Sequence, residues 1–237
     1  MVGGIGLKTR IGRAIDVLEH AGCVLGAGEG DGHLPPRAAT GTLAAVNDVT
    51  EGRSAYWDPL PTARDIAARW QADPVDLSIG TGKWEDRSRL NVPGPFYTGD
   101  TDDGLNGQVY APGLVLCGSE RGMEFVYRQP QTPEDVEILL EVAWGEPMGG
   151  YAWDGDQRWS EGSVREWWSG RAQVREWIRS EIAMRSISEA DYDRESVPAL
   201  LEFAAHLDGP LEHYLRGYVY WLIEGREPDV GAVLPEL

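Results

Sequence analysis

Cysteine is scarce. The chain of 237 residues holds two, Cys23 and Cys117. Two thiols close at most one disulfide, so this is not a disulfide scaffold. They also cannot supply the thiolates of an ordinary iron–sulfur cluster within one chain. Histidine is scarce as well, with four residues. Zinc requires four ligands, or three plus water, and the HxxC pair of His20 and Cys23 has no second compact pair beside it. His206 and His213 fall on separate expected helices. The sequence therefore predicts no metal site and no iron–sulfur cluster.

Positive charge is also in short supply. Lys plus Arg number 21 against 39 Asp plus Glu, a formal net charge of −18. Such a surface repels phosphates, which argues against direct nucleic-acid binding. It favours solubility and would steer a basic partner toward the protein. No apolar run reaches membrane-spanning length. The start, MVGGIGLKTRIGRAIDVL, has no basic segment leading into a long apolar stretch, so no signal peptide is expected. A cytoplasmic location with no membrane association is the corresponding expectation.

Complete chemical motifs are missing too. VLGAGEGDG (24–32) suggests a dinucleotide loop, but counting from Gly26 the sixth position is Asp31, and from Gly28 it is His33; neither is the required glycine. NAD is therefore not expected. GTGKW (80–84) resembles the end of a phosphate loop. It has Leu77 where the upstream glycine belongs and Trp84 where a hydroxyl would hold magnesium. GDTDDGLNG (99–107) is rich in oxygen ligands. Counted from Asp100, however, Gly104 and Ala111 stand where a calcium loop needs ligands. No G-x-S-x-G nucleophile elbow occurs.

What the chain does have is tryptophan and tyrosine. Ten Trp and nine Tyr stand against three Phe. These residues join large apolar area to a polar tip and suit both cores and interfaces. Their densest run is YAWDGDQRWSEGSVREWW (151–168).

The patterning predicts an α+β fold: a small antiparallel sheet in the middle of the chain, packed by a mainly helical C-terminal half. One domain over 1–237 is expected, with 1–60 as an N-terminal extension, 61–130 as helix plus sheet and 131–237 as helical. Residues 10–21 read as a helix and 26–36 as a Gly/Pro-rich loop. A second helix is expected over 61–72, with Thr62 as its cap. VDLSIG (75–80) alternates like a strand, and 91–113 reads as one long loop. LVLC (114–117) and MEFVYR (123–128) read as a hairpin. Thr132, Pro133 and Asp135 mark the start of a helix that ends at Gly145. Ser163 with Glu166 reads as a capping box for a helix running to about Arg185. Two more helices are expected, near 197–208 and 211–224.

Taken as one continuous helix from Val164, the segment places Trp167, Trp168, Ile178 and Ile182 within about 60° of Val164. Arg171 and Arg175 then fall in the middle of that apolar stripe. A buried guanidinium needs a carboxylate or an anion. Asp154 and Asp156 are the nearest candidates, with Asp100 to Asp103, Asp191 and Asp193 as alternatives. Snorkelling of both arginines over the tryptophans to water is a third arrangement. Asp154 and Asp156 are also the candidate acid–base pair, two carboxylates being a minimum for such work.

NVPGPFYTGDTDDG, EFVYRQP, GYAWDGDQRWSEGSVREWW, VREWI and YVYWLIEGREP together resemble a family of actinobacterial proteins, over roughly residues 90–237. Members often carry the label ferredoxin, which the cysteines here do not support. The resemblance implies a shared fold and transfers no catalytic residue.

Two functional readings follow. The first is an acidic protein-binding factor of the inhibitor, immunity or accessory kind, without catalysis. It would hold a protein partner, a basic one where the charge steers it, through Tyr97, Asp100, Asp102, Trp153, Trp159, Arg171 and Arg175. The second is an enzyme acting on a small charged substrate, with Tyr97, Asp154 and Arg175 converging between the 97–106 and 151–161 loops. A homo-oligomer is compatible with either.

Overall fold

The chain divides into two units, residues 1–49 and 50–237. The computed structural model describes residues 54–71, 80–102, 104–118 and 122–237, all in the second unit. The expected helix over 10–21, the loop over 26–36 and nearly all of the expected strand over 75–80 lie outside the described residues.

The described part is α+β. Its elements are α1 (Leu60–Gln71), β1 (Tyr97–Thr98), α2 (Asn106–Tyr110), β2 (Val115–Cys117), β3 (Glu124–Val126), α3 (Pro133–Gly145), β4 (Tyr151–Ala152), α4 (Glu161–Ser169), α5 (Arg171–Arg185), α6 (Asp191–Leu207) and α7 (Pro210–Glu224). Two antiparallel ladders form among them. Tyr97 faces Ala152 and Thr98 faces Tyr151 in one; Val115 faces Val126 and Leu116 faces Phe125 in the other. No helix among the described residues is long and apolar enough to cross a membrane.

The β2–β3 hairpin is the expected one, and it is buried on both faces. Successive strand residues point to opposite sides. Val115 and Val126 join a core with Ile66 of α1 and Val136, Leu139 and Leu140 of α3. Leu116 and Phe125 join a second core with Ile178 of α5, Leu200 and Phe203 of α6, and Leu215 and Tyr218 of α7. The sheet is thus covered by the C-terminal helices on one side and by α1 and α3 on the other.

Helix α3 starts as the sequence predicts. The Thr132 side chain accepts from the Asp135 amide, and Pro133 stands in the first turn. Other boundaries differ. Helix α1 begins before Thr62: the Asp58 carboxylate accepts from the Leu60 amide at 2.9 Å. The expected long loop over 91–113 contains β1 and α2. Helix α6 begins at Asp191 and runs through Pro198, which is exposed.

The largest departure is in the segment after residue 160. Its capping box is formed by Ser160 and Ser163, one turn earlier than the Ser163–Glu166 pair. The helix then breaks at Gly170 into α4 and α5. Glycine costs about 1 kcal/mol in a helix interior relative to alanine. Beyond the break the buried face is Val174, Ile178, Glu181 and Arg185. This stripe is turned away from the one that a continuous helix would give.

Candidate functional site

The short antiparallel β1–β4 ladder sets Tyr97 opposite Ala152, so Asp154, two residues beyond β4, lies near the start of β1. Gly99 N bonds Gly150 O at 2.7 Å, and Gly82 N bonds Tyr151 O at 3.0 Å. Tyr97, the first residue of β1, is fully buried. Its hydroxyl donates to Asp154 Oδ1 at 2.7 Å. Arg158 Nε donates to Asp154 Oδ2 at 2.8 Å. Two of the residues expected to converge, Tyr97 and Asp154, therefore meet.

Burial pushes the Asp154 carboxyl up, but the hydrogen bonds from Tyr97 and Arg158 and the charge of Arg158 outweigh it, so its net shift is downward. Burial, reinforced by the bond to Asp154, raises the Tyr97 phenol. Asp154 is thus a fixed negative charge with both oxygens engaged, and a carboxylate held ionised in this way is a weak base. Its side chain is 32% exposed, and that of Arg158 is 46% exposed.

Aromatic rings wall this ion pair. Trp84, in the helical turn Trp84–Asp86, meets Tyr97 edge-on at 5.1 Å and Trp159 edge-on at 5.0 Å. The Arg87 guanidinium lies 3.9 Å over the Trp84 ring and 5.4 Å from the Trp159 ring. Its Nη1 donates to the Trp84 carbonyl at 3.3 Å. Burial lowers its pKa, against the attraction of Tyr97 and Glu85. A guanidinium stacked on tryptophan is a recognised cation–π arrangement. Trp84, Arg87 and Arg158 are the parts that sequence reasoning missed, because a single chain does not reveal which loop faces which.

The two aspartates do not act as a pair. Asp156 turns to another tyrosine: Tyr218 of α7 donates to its Oδ1 at 2.9 Å. Burial pushes the Asp156 carboxyl up to about 7, against the Tyr218 bond; Asp58 adds to the rise and Arg64 opposes it. Around it stand Tyr56, Tyr214 and Tyr218, with ring centroids 5.3 to 6.2 Å apart. Asp156 Oδ2, the Tyr56 and Tyr214 hydroxyls and Trp159 Nε1 are buried with no hydrogen-bond partner among the described residues.

The sequence also does not point to Glu124 of β3, a fully buried carboxyl. It accepts from the Gly107 amide and from the Tyr151 hydroxyl. Burial raises it to about 7 in spite of those bonds.

The other expected site residues go elsewhere. Arg175 pairs with Asp208, a partner outside the anticipated set, and both side chains are partly exposed. Arg171 lies 4.3 Å over the Trp168 ring and donates to the Trp168 carbonyl at 3.0 Å. Both arginines therefore reach water along the rim, which is the snorkelling arrangement. The buried arginine of this helix is Arg185. It bonds Glu181 Oε2 at 2.9 Å, Ser196 Oγ at 2.8 Å and the Cys117 carbonyl. Asp100 is exposed; Asp102 accepts from Gly104 N at 3.2 Å, and its amide bonds Glu146 at 2.9 Å. Trp153 packs on the α1–α3 core. With Gly80, Phe96, Leu140 and Tyr151 it lines a space of about 10 Å³, room for about one water.

Among the described residues no three His, Cys, Asp or Glu side chains are grouped as a metal site. No protein-family model, curated protein or solved structure matches the chain.

Proposed function

We propose that this is an acidic cytoplasmic protein-binding factor of the inhibitor, immunity or accessory kind, acting without catalysis. Its partner surface is the face formed by Asp154, Arg158, Arg87 and the half-buried Trp84, with the buried Trp159 supporting it from beneath. The supporting observation is that the Asp154–Arg158 ion pair, framed by tryptophan and a stacked arginine, is open to solvent on one side. Aromatic residues and arginine are enriched among the few side chains that carry binding energy at protein interfaces. Opposite charges set side by side give orientation and specificity rather than raw affinity. The charge of −18 speeds the approach of a basic partner.

The alternative reading, an enzyme for a small charged substrate, required Arg175 beside Tyr97 and Asp154. Arg175 is bound to Asp208. Asp154 is also held in the ionised form that suits recognition better than proton transfer. Both points favour the binding reading.

The test is affinity capture from lysate of the source cells with the wild-type chain, Asp154→Asn, Arg87→Ala and a control outside the face, Glu195→Gln. The expected result is one partner held equally by wild type and control and weakened roughly 30-fold by either face variant, the scale of a hot-spot loss of about 2 kcal/mol. Capture of no saturable partner, or equal capture by all four proteins, would contradict it.

A further inference from the structure

Three segments distant in sequence meet at Asp156. They are the arm Ser54–Asp58, the turn Gly155–Gln157 and helix α7. Their fit leaves little room for sliding. A Cβ on Gly155 would lie 2.1 Å from the Gly94 carbonyl oxygen, and one on Gly217 of α7 would lie 2.7 Å from the backbone of Ala55. Only glycine permits either approach.

The joint holds an unusual set of polar groups. Tyr218 supplies one hydrogen bond to Asp156 Oδ1. Asp156 Oδ2 and the hydroxyls of Tyr56 and Tyr214 are buried and have no protein partner among the described residues. The other charged groups acting on Asp156 are Asp58 of the arm, which repels it, and Arg64 of α1, which attracts it from a distance. Among the described residues no cation is bonded to the carboxyl. An ionised carboxylate in such a place is costly unless it is paired, whereas the neutral acid is tolerated.

We propose that Asp156 is a proton-dependent latch: as the neutral acid it holds the 155–159 turn against helix α7 and the arm, and on losing its proton to solvent it releases that turn. The turn carries Trp159 and follows directly on Asp154, so release loosens the face described above. The titration of Asp156 near 7 agrees with this geometry. The direction follows from the charge states. Below the midpoint the acid is neutral and the turn is held; above it the carboxylate is ionised and the turn opens. The consequence for partner binding rests on the proposed face. The latch itself does not, and its test needs no partner.

The experiment is amide hydrogen exchange of Gln157, Arg158 and Trp159, read residue by residue by NMR between pH 5.5 and 8.5 and corrected for intrinsic rates. These amides bond Asp154 O at 2.9 Å, Gly155 O at 2.9 Å and Gly155 O at 2.7 Å respectively. The wild type should lose at least tenfold in protection, with a midpoint near neutrality. Asp156→Asn, a neutral isostere, should abolish the step and stay protected. Glu124→Gln, which removes the other buried carboxyl titrating in this range, should keep the step. Tyr218→Phe removes a bond that favours the ionised form, so it should move the midpoint to higher pH. A wild type with no step, a step that survives in Asp156→Asn, a step lost in Glu124→Gln, or a midpoint in Tyr218→Phe that is unmoved or lower would each overturn the latch.

Discussion

Tyr218 and Asp156 are 62 residues apart, and the phenol of one donates to the carboxyl of the other at 2.9 Å. That bond ties the last helix to the turn next to Asp154. It is charge-assisted when Asp156 is ionised and ordinary when it is neutral. Tyr218→Phe should lower stability by about 1–2 kcal/mol, the usual range for a buried hydrogen bond whose partner is left behind. Urea denaturation at pH 6 would show it as a lower midpoint with an unchanged slope.

Stability should depend on pH through three groups, the buried Glu124 and the half-buried Asp156 and His206. Asp156 and Glu124 are raised from 3.8 and 4.5 to about 7. A carboxyl with a raised folded pKa binds its proton more tightly in the native state. The stability it contributes is fully present below the unfolded pKa and is lost as pH rises through the folded one. Both groups therefore weaken the fold between about pH 4 and 7. Burial, with repulsion from Arg128, lowers His206 to about 4. Its contribution has the opposite sign, being present above pH 6.5 and lost as pH falls toward 4. One carboxyl is roughly offset by the histidine, and the net trend is a decline toward neutrality. Thermal melts from pH 4.5 to 8 should show it, and Asp156→Asn should flatten the curve.

The arginines of α5 should differ sharply. Arg175→Ala removes a partly exposed pair with Asp208 and should cost less than about 1 kcal/mol. Arg185→Ala strips the buried Glu181 of this cation and removes bonds to Ser196 and Cys117. A loss of about 3–5 kcal/mol is expected there. Chemical denaturation of the two variants side by side checks this order; equal losses would refute it.

Gly155→Ala should be among the most damaging small substitutions. The added methyl would meet the Gly94 and Pro95 carbonyl oxygens at 2.1 and 2.7 Å. Neither is a flexible side-chain tip that can move aside. Calorimetry should show a clear drop in Tm, whereas Gly145→Ala, where the added Cβ meets nothing within 4 Å, should leave Tm nearly unchanged.

Signals that act over a few residues were legible in the sequence. The β2–β3 hairpin and the Thr132 cap are of this kind: alternation, turn residues and capping chemistry are local. The helix expected near 197–208 begins earlier, at Asp191, and runs through Pro198. The arginine stripe was also misplaced. One glycine, Gly170, breaks the helix and resets the phase on which the burial of Arg171 and Arg175 depended. At the site, Tyr97 and Asp154 each stand out within a single run of sequence, and they do meet. Arg87, Arg158, Tyr56 and Tyr218 were not legible, since their roles come from contacts across β1, the arm and α7. Those are tertiary, and no periodicity encodes them.

The central claim is that the Trp84–Asp154–Arg158 face holds a protein partner. Site-specific photo-crosslinking in the source cells tests it most directly, with a photoreactive amino acid placed at Arg158 and, for comparison, at Glu195 on α6. The account predicts one dominant adduct from position 158, absent from position 195 and lost when Asp154→Asn is added. No adduct at 158, or the same adducts at both positions, would contradict it.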